Sequence, residues 1–144
     1  MDSSLNNSRF FVRVSRRIPQ KDENKILGEL MPSKKVDEFN KERTRLNDLV
    51  LKYSDKEIKR FLSLDSQVYR DDVLPAKTKE MLGLVSSLVL RCDDCIKYHL
   101  GQCFEQEVTT EELEEIFSVG LIVGGSITIP HIRRAFEFWE HLNK

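Results

Sequence analysis

The sequence predicts an all-α fold, a single-domain bundle of about six helices. Apolar residues recur near helical period in successive segments, and helix start and stop signals bound those segments. No internal repeat, low-complexity tract or long linker divides the chain further.

The elements follow in order. Residues 1–20 hold a short apolar run, Phe10, Phe11, Val12 and Val14, read as an extended or disordered segment that Pro19 closes. A short helix over 21–31 stops before Pro32, because the residue preceding proline avoids the helical region. Ser33 is placed to cap a charged helix to Tyr53, with Val36, Phe39, Arg43, Leu46, Leu49 and Val50 along one stripe. Ser54-Asp55-Lys56-Glu57 reads as a capping box, starting a helix with Ile58, Phe61, Leu62, Leu64, Val68 and Tyr69 as its apolar positions. Pro75 is expected at the first position of the next helix, where its missing N–H costs nothing. That helix carries Met81, Leu82, Leu84, Val85, Leu88, Val89 and Leu90, and is expected to be central and buried on most sides. A helix or half-helix over 92–105 follows. Thr109 and Glu112 then form a second capping box, with Val108 and Leu113 as its hydrophobic staple. Gly124-Gly125 stops that helix, and Thr128 with Pro130 begins the last one.

With 144 residues the chain has room for one real core. Lys and Arg number 23 against 24 Asp and Glu, so no global field attracts nucleic acid or an anionic membrane. The basic start, Arg9 to Arg17, has no apolar face behind it and reads as a solvated arm or an oligomer contact. No apolar run approaches the roughly 18 residues of a membrane span, and Met1 to Asn6 lack the character of a signal peptide. A cytoplasmic protein is expected. Three cysteines within twelve residues do not resemble a secreted disulfide framework.

The chemistry concentrates at Cys92-Asp93-Asp94-Cys95-Ile96-Lys97-Tyr98-His99. On a helix Cys92, Cys95 and His99 share one face. A helix start and a neighbouring imidazole both favour the thiolate, the nucleophilic form. His99 is therefore a candidate acid/base for a redox thiol pair. The plainer alternative is two buried cysteines packing as small hydrophobes. A Cys₃His zinc site that adds Cys103 is the other; ligands spread over about 16 Å of one helix cannot all reach one ion. Cys103 itself reads as packing. Glu80, in an apolar stretch, reads either as a surface carboxylate or as a paired buried one. His131 and His141 read as surface or interface residues, and Asp93-Asp94 as helix-start charges.

From Phe61 to Leu142 the chain resembles the carboxymuconolactone decarboxylase / alkylhydroperoxidase D-like family. The resemblance rests on Leu74-Pro75-Ala76-Lys77-Thr78-Lys79-Glu80, on Arg91-Cys92-Asp93-Asp94-Cys95-Ile96-Lys97-Tyr98-His99, on Val108 to Leu113 and on Gly124-Gly125, in that order. It implies a helical core over 56–144 preceded by an N-terminal extension over 1–55. By the peroxidase branch, Cys92 and Cys95 would be the redox pair, His99 the acid/base and Glu80 the relay carboxylate. Twelve residues on a straight helix put Glu80 about 120° from Cys92, so the resemblance also implies a bend near Arg91. Where some peroxidase members have a second histidine between the cysteines, this chain has Asp94.

The expected function is a thiol-dependent hydroperoxide reductase or disulfide oxidoreductase that needs no metal or organic cofactor. Its partners would be a hydroperoxide, a dithiol donor (a protein or a lipoyl group) and copies of itself in a trimer or hexamer. The rivals are a lactone decarboxylase-like lyase using His99 and Glu80, and a non-catalytic redox-sensing scaffold.

Overall fold

The computed structural model describes residues 33–144, which form six α-helices and one short 3₁₀ turn, with no strand among them. The segments expected over 1–20 and 21–31 lie outside the described residues. The helices are α1 (Lys34–Tyr53), α2 (Lys56–Val68), α3 (Ala76–Val89), α4 (Asp93–Glu105), α5 (Thr110–Gly124) and α6 (Ile129–Leu142), with the 3₁₀ turn at Ser126–Thr128 before α6. α3 packs on α4 and α5, α4 also packs on α6, and α1 lies against α6.

The core gathers Leu84 and Leu88 of α3, Ile96, Leu100 and Cys103 of α4, Leu113 and Phe117 of α5, and Ala135, Phe138 and Trp139 of α6. Edge-to-face ring pairs lock the helices in register, with Phe104–Trp139 at 5.7 Å and Phe117–Phe136 at 5.1 Å between centroids. Trp139 Nε1 donates to Thr110 Oγ1 at 3.1 Å, so the one polar atom of this large side chain is satisfied.

The capping box of α5 forms in full: Glu112 N–H donates to Thr109 Oγ1 at 3.2 Å, and Thr109 N–H to Glu112 Oε2 at 2.8 Å. Val108 and Leu113 are both buried beside it. The box expected at Ser54 does not form. Asp55 is the N-cap of α2 without a side-chain cap bond, and the Ser54 hydroxyl donates back to the Val50 carbonyl. A serine at the end of one helix can satisfy that helix's carbonyl instead of the next helix's amides. Ser33 and Thr128 likewise stand at N-cap positions without capping bonds; Thr128 Oγ1 donates to Gly125 O at 2.8 Å. Pro75 is the N-cap of α3, one position earlier than expected. α3 is also buried along a single face, with Leu82 and Leu90 exposed.

Two turns of one kind bracket α4. After α3, Arg91 N–H donates to Leu88 O and Cys92 N–H to Ser87 O, with Arg91 at φ +60°. After α4, Glu107 N–H donates to Phe104 O and Val108 N–H to Cys103 O, with Glu107 at φ +56°. Both are Schellman caps with a charged residue in the left-handed position that glycine usually takes, at a cost of about 1 kcal/mol each. The first is the bend expected near Arg91. It folds α4 back along α3, which sets Glu80 beside His99.

α2 buries none of its side chains. Its apolar face, Ile58, Phe61, Leu64 and Val68, is exposed, as are Val119, Ile122, Val123 and Ile127 around the end of α5. No helix of the described residues is long and apolar enough to cross a membrane.

Candidate active site

Cys92 is the N-cap of α4, and its sulfur accepts the Cys95 N–H at 3.3 Å. An N-cap position points a sulfur at the free amides of the first turn, where the helix dipole favours an anion. Cys92 and Cys95 are joined as a disulfide, with Cα atoms 5.3 Å apart, within the range such a bridge needs. Cys95 is exposed and Cys92 half-buried.

One turn beyond Cys95, His99 is buried, and its Nδ1 lies 2.7 Å from Oε2 of the equally buried Glu80. With Nδ1–H donating to the carboxylate, Nε2 is the nitrogen left free to exchange a proton. Neither member could be buried alone at a tolerable cost; each satisfies the other. The imidazole is also held by ring contacts. Tyr69 and Tyr98 each stand 5.1 Å from it, centroid to centroid. Burial first, and then the nearby Glu80 carboxylate, push both phenols above their ordinary range.

Gly83 makes room for this arrangement. A Cβ there would come within 2.6 Å of His99 Cε1 and 2.8 Å of the Tyr69 hydroxyl. Only hydrogen fits.

Cys95 and His99 open into a cleft of about 380 Å³. Its opposite wall is Phe39, Arg43, Leu46 and Asn47 of α1, with Asp65 of α2. The Arg43 guanidinium lies over the Tyr98 ring, 3.9 Å from its centroid. That stack, on a ring that itself contacts His99, joins α1 to the site. His99 also borders a second, shallower depression on the side of Tyr69 and Ser87.

Of the four residues singled out in the sequence, the fold brings Glu80 to His99 and sets His99 in one cleft with Cys95, while Cys92 is bonded behind Cys95. Cys103 is fully buried in the core, and burial pushes its thiol up to about 12, so it is an inert packing residue. Sequence reasoning missed Gly83 and Tyr98, and placed Tyr69 and Arg43 on helix stripes without linking them to the site. A glycine inside an apolar helix is itself a signal of close approach, since it costs about 1 kcal/mol relative to alanine. It also passed over the pairing of Asp93 with α6. Asp93 Oδ1 lies 2.7 Å from His131 Nδ1, and Arg134 Nη2 lies 2.9 Å from Oδ2.

The carboxymuconolactone decarboxylase family model matches residues 58–138. A family protein of Thermotoga maritima, named with a suggested involvement in an antioxidative response, is 50% identical over 73% of this chain and 89% of its own, with a TM-score of 0.71. A second crystal structure of the same Thermotoga maritima protein gives 51% identity over 73% and 92% of the two chains, with a TM-score of 0.72. A family protein of Legionella pneumophila, in its apo form, is 26% identical over 78% of this chain and all of its own, with a TM-score of 0.70. An uncharacterised protein of Cupriavidus necator is 28% identical over 74 residues, 51% of this chain and 66% of that protein's length.

Proposed function

The chain belongs to the carboxymuconolactone decarboxylase family, and within it we propose a thiol-dependent hydroperoxide reductase cycling between dithiol and disulfide at Cys92 and Cys95. One observation carries this reading: an exposed Cys95, bonded to Cys92, shares a cleft with His99, whose far nitrogen is held 2.7 Å from a buried carboxylate. The suggested antioxidative involvement of the Thermotoga maritima relative points the same way.

In the proposed cycle the Cys95 thiolate attacks the distal oxygen of a hydroperoxide. The O–O bond breaks, Cys95 becomes a sulfenic acid, and the alkoxide takes a proton that His99 supplies and Glu80 helps to hold. The Cys92 thiol then attacks the Cys95 sulfur; the S–O bond breaks, the thiol proton leaves with the displaced hydroxide as water, and the disulfide closes. A dithiol, on a protein or a lipoyl group, returns the electrons, which suits a reducing compartment such as the cytoplasm. The peroxidatic role goes to Cys95 because it is the sulfur that the cleft reaches. The half-buried Cys92 at the helix start suits the resolving role.

The exposed apolar faces of α2 and of the end of α5 are proposed contacts in a homo-oligomer, a trimer or hexamer. The proposed division of the chain is a family core over 56–144 and an extension over 1–55 whose α1 walls the cleft.

The test is to add tert-butyl hydroperoxide to the reduced protein, map the thiols by mass, and follow turnover with dihydrolipoamide as donor. A Cys92–Cys95 bond formed in step with peroxide loss, and abolished in Cys95→Ser, is expected. Free thiols that survive excess peroxide would overturn the reading, and lactone consumption by a Cys92→Ser/Cys95→Ser variant would replace it with a lyase.

A further inference from the structure

We propose that His131 and Arg134 of α6 are positioning residues for the redox step: by neutralising Asp93, they let Cys92 depart as a thiolate when the disulfide is reduced. The inference rests on the proposed dithiol–disulfide cycle and adds a part of the molecule outside the cleft.

Reduction begins when one thiolate of the donor attacks the exposed Cys95 sulfur. The Cys92–Cys95 bond breaks, its electron pair stays on Cys92, and a donor–Cys95 mixed disulfide forms. The second donor thiolate then attacks the donor's own sulfur in that bond and releases Cys95, so the donor ends as a disulfide and the pair as two thiols. The first step is faster the more stable the departing Cys92 thiolate is.

Two features bear on that anion in opposite senses. The helix start stabilises it, through the α4 dipole and the Cys95 N–H at 3.3 Å. Asp93 is the next residue along, so covalent geometry alone keeps its carboxylate within about 10 Å of the sulfur, a range over which a like charge still disfavours the thiolate. α6 answers the second. Arg134 Nη2 lies 2.9 Å from Asp93 Oδ2 and 3.3 Å from Oδ1, while His131 Nδ1–H donates to Oδ1 at 2.7 Å. Two donors from one helix thus converge on a single carboxylate; with Nδ1–H turned to Asp93, the 3.0 Å between Arg134 Nη2 and His131 Nδ1 is proximity and not a hydrogen bond. Burial alone would raise the Asp93 carboxyl; the bonds to His131 and Arg134 outweigh it and hold it below its ordinary value. Arg91 and Asp94 are the other charged residues next to Cys92 in the sequence, and the Glu80–His99 pair lies between α3 and α4; from α3 itself, Cys92 N–H meets the neutral Ser87 carbonyl at 3.1 Å.

The measurements are the pH profile of Cys92 alkylation in the reduced protein, mapped by mass, and the dithiol–disulfide equilibrium against glutathione. Arg134→Ala should cut the thiolate fraction of Cys92 near neutral pH by about three- to tenfold and move the equilibrium towards the disulfide. His131→Ala should act in the same direction and less, and Arg134→Lys should restore most of the loss. Asp93→Asn/Arg134→Ala should return to within about twofold of wild type, since no carboxylate is left to neutralise. A contact that only fixes α4 on α6 predicts the reverse: Asp93→Asn as harmful as Arg134→Ala, and the double variant no better. That result, or an unmoved Cys92 profile in a folded Arg134→Ala protein, overturns the proposal. Neither measurement uses peroxide, so a protein that fails to reduce hydroperoxide yet shows the Arg134 effect refutes the peroxidase reading and leaves this one standing.

Discussion

Two imidazole–carboxylate pairs flank the cysteines, and both close at 2.7 Å through Nδ1. Their surroundings differ. Glu80 and His99 are only 5% and 9% exposed, walled by Tyr69 and Tyr98, with no arginine or lysine among the described residues bonded to either. Asp93 is 39% exposed and shares its charge with Arg134 as well as His131. The same hydrogen bond therefore serves two purposes. In the dry site each proton has one partner and its movement is coupled to the cleft, which suits acid/base work. At the wet site the carboxylate is neutralised by two donors and screened by solvent, which suits a static adjustment of charge. Environment, more than residue type, separates a relay from a clamp.

The largest effect expected from breaking this contrast is at the dry pair. Glu80→Gln or His99→Ala should lower hydroperoxide turnover by about 10²-fold or more, read by stopped-flow peroxide loss. His131→Ala should lower it by less than about tenfold; equal losses at the two histidines would erase the distinction. Next comes the packing that keeps the dry pair dry. Gly83→Ala drives a methyl into His99 and Tyr69, and should cost about 1–3 kcal/mol in a urea titration while also slowing turnover. A variant with wild-type stability and rate would show that His99 needs no such close support.

A smaller effect tests the α1 wall. Arg43→Ala removes the cation from the Tyr98 ring and should cost about 0.5–1 kcal/mol, with KM for a bulky organic hydroperoxide rising more than KM for hydrogen peroxide. Parallel changes for the two substrates would mean that α1 supports His99 without shaping the cleft. The smallest effect is acid sensitivity at the wet pair. The Asp93 carboxyl lies below its ordinary value when folded, so its contribution is full above the unfolded value near pH 4 and is lost as pH falls through the folded one. With solvent screening, that contribution is at most about 1 kcal/mol. Urea midpoints at pH 7 and pH 3 should differ less in Asp93→Asn than in wild type.

The legible part of the site was the part written in one helix. Cys92, Cys95 and His99 fall on α4 at the spacing their numbers require, and the Arg91 bend follows once Glu80 is asked to meet them. Glu80 was singled out by resemblance; its apolar neighbours left a surface carboxylate equally open. Tyr98 adjoins His99 in sequence and still went unremarked, because a tyrosine beside a histidine has no fixed direction until the helices pack. Asp93 read as a helix-start charge, which its position supports, and nothing local links it to a histidine 38 residues away.

What the sequence determined by itself was the set of local decisions. The all-α class, the capping box of α5, the stop at Gly125 with φ +75° and the placement of the thiols at the head of α4 each depend on hydrogen bonds or dihedrals within a few residues. Tertiary structure decided which surfaces meet. It turned α3 to bury Glu80 and leave Leu82 outside, withheld burial from α2 despite its apolar stripe, and laid α1 across the cleft. The reason is that an amphipathic pattern specifies that a face is to be covered and says nothing of what covers it. Packing between distant segments chooses the partner, and that choice sets His99 against Glu80 and Asp93 against α6.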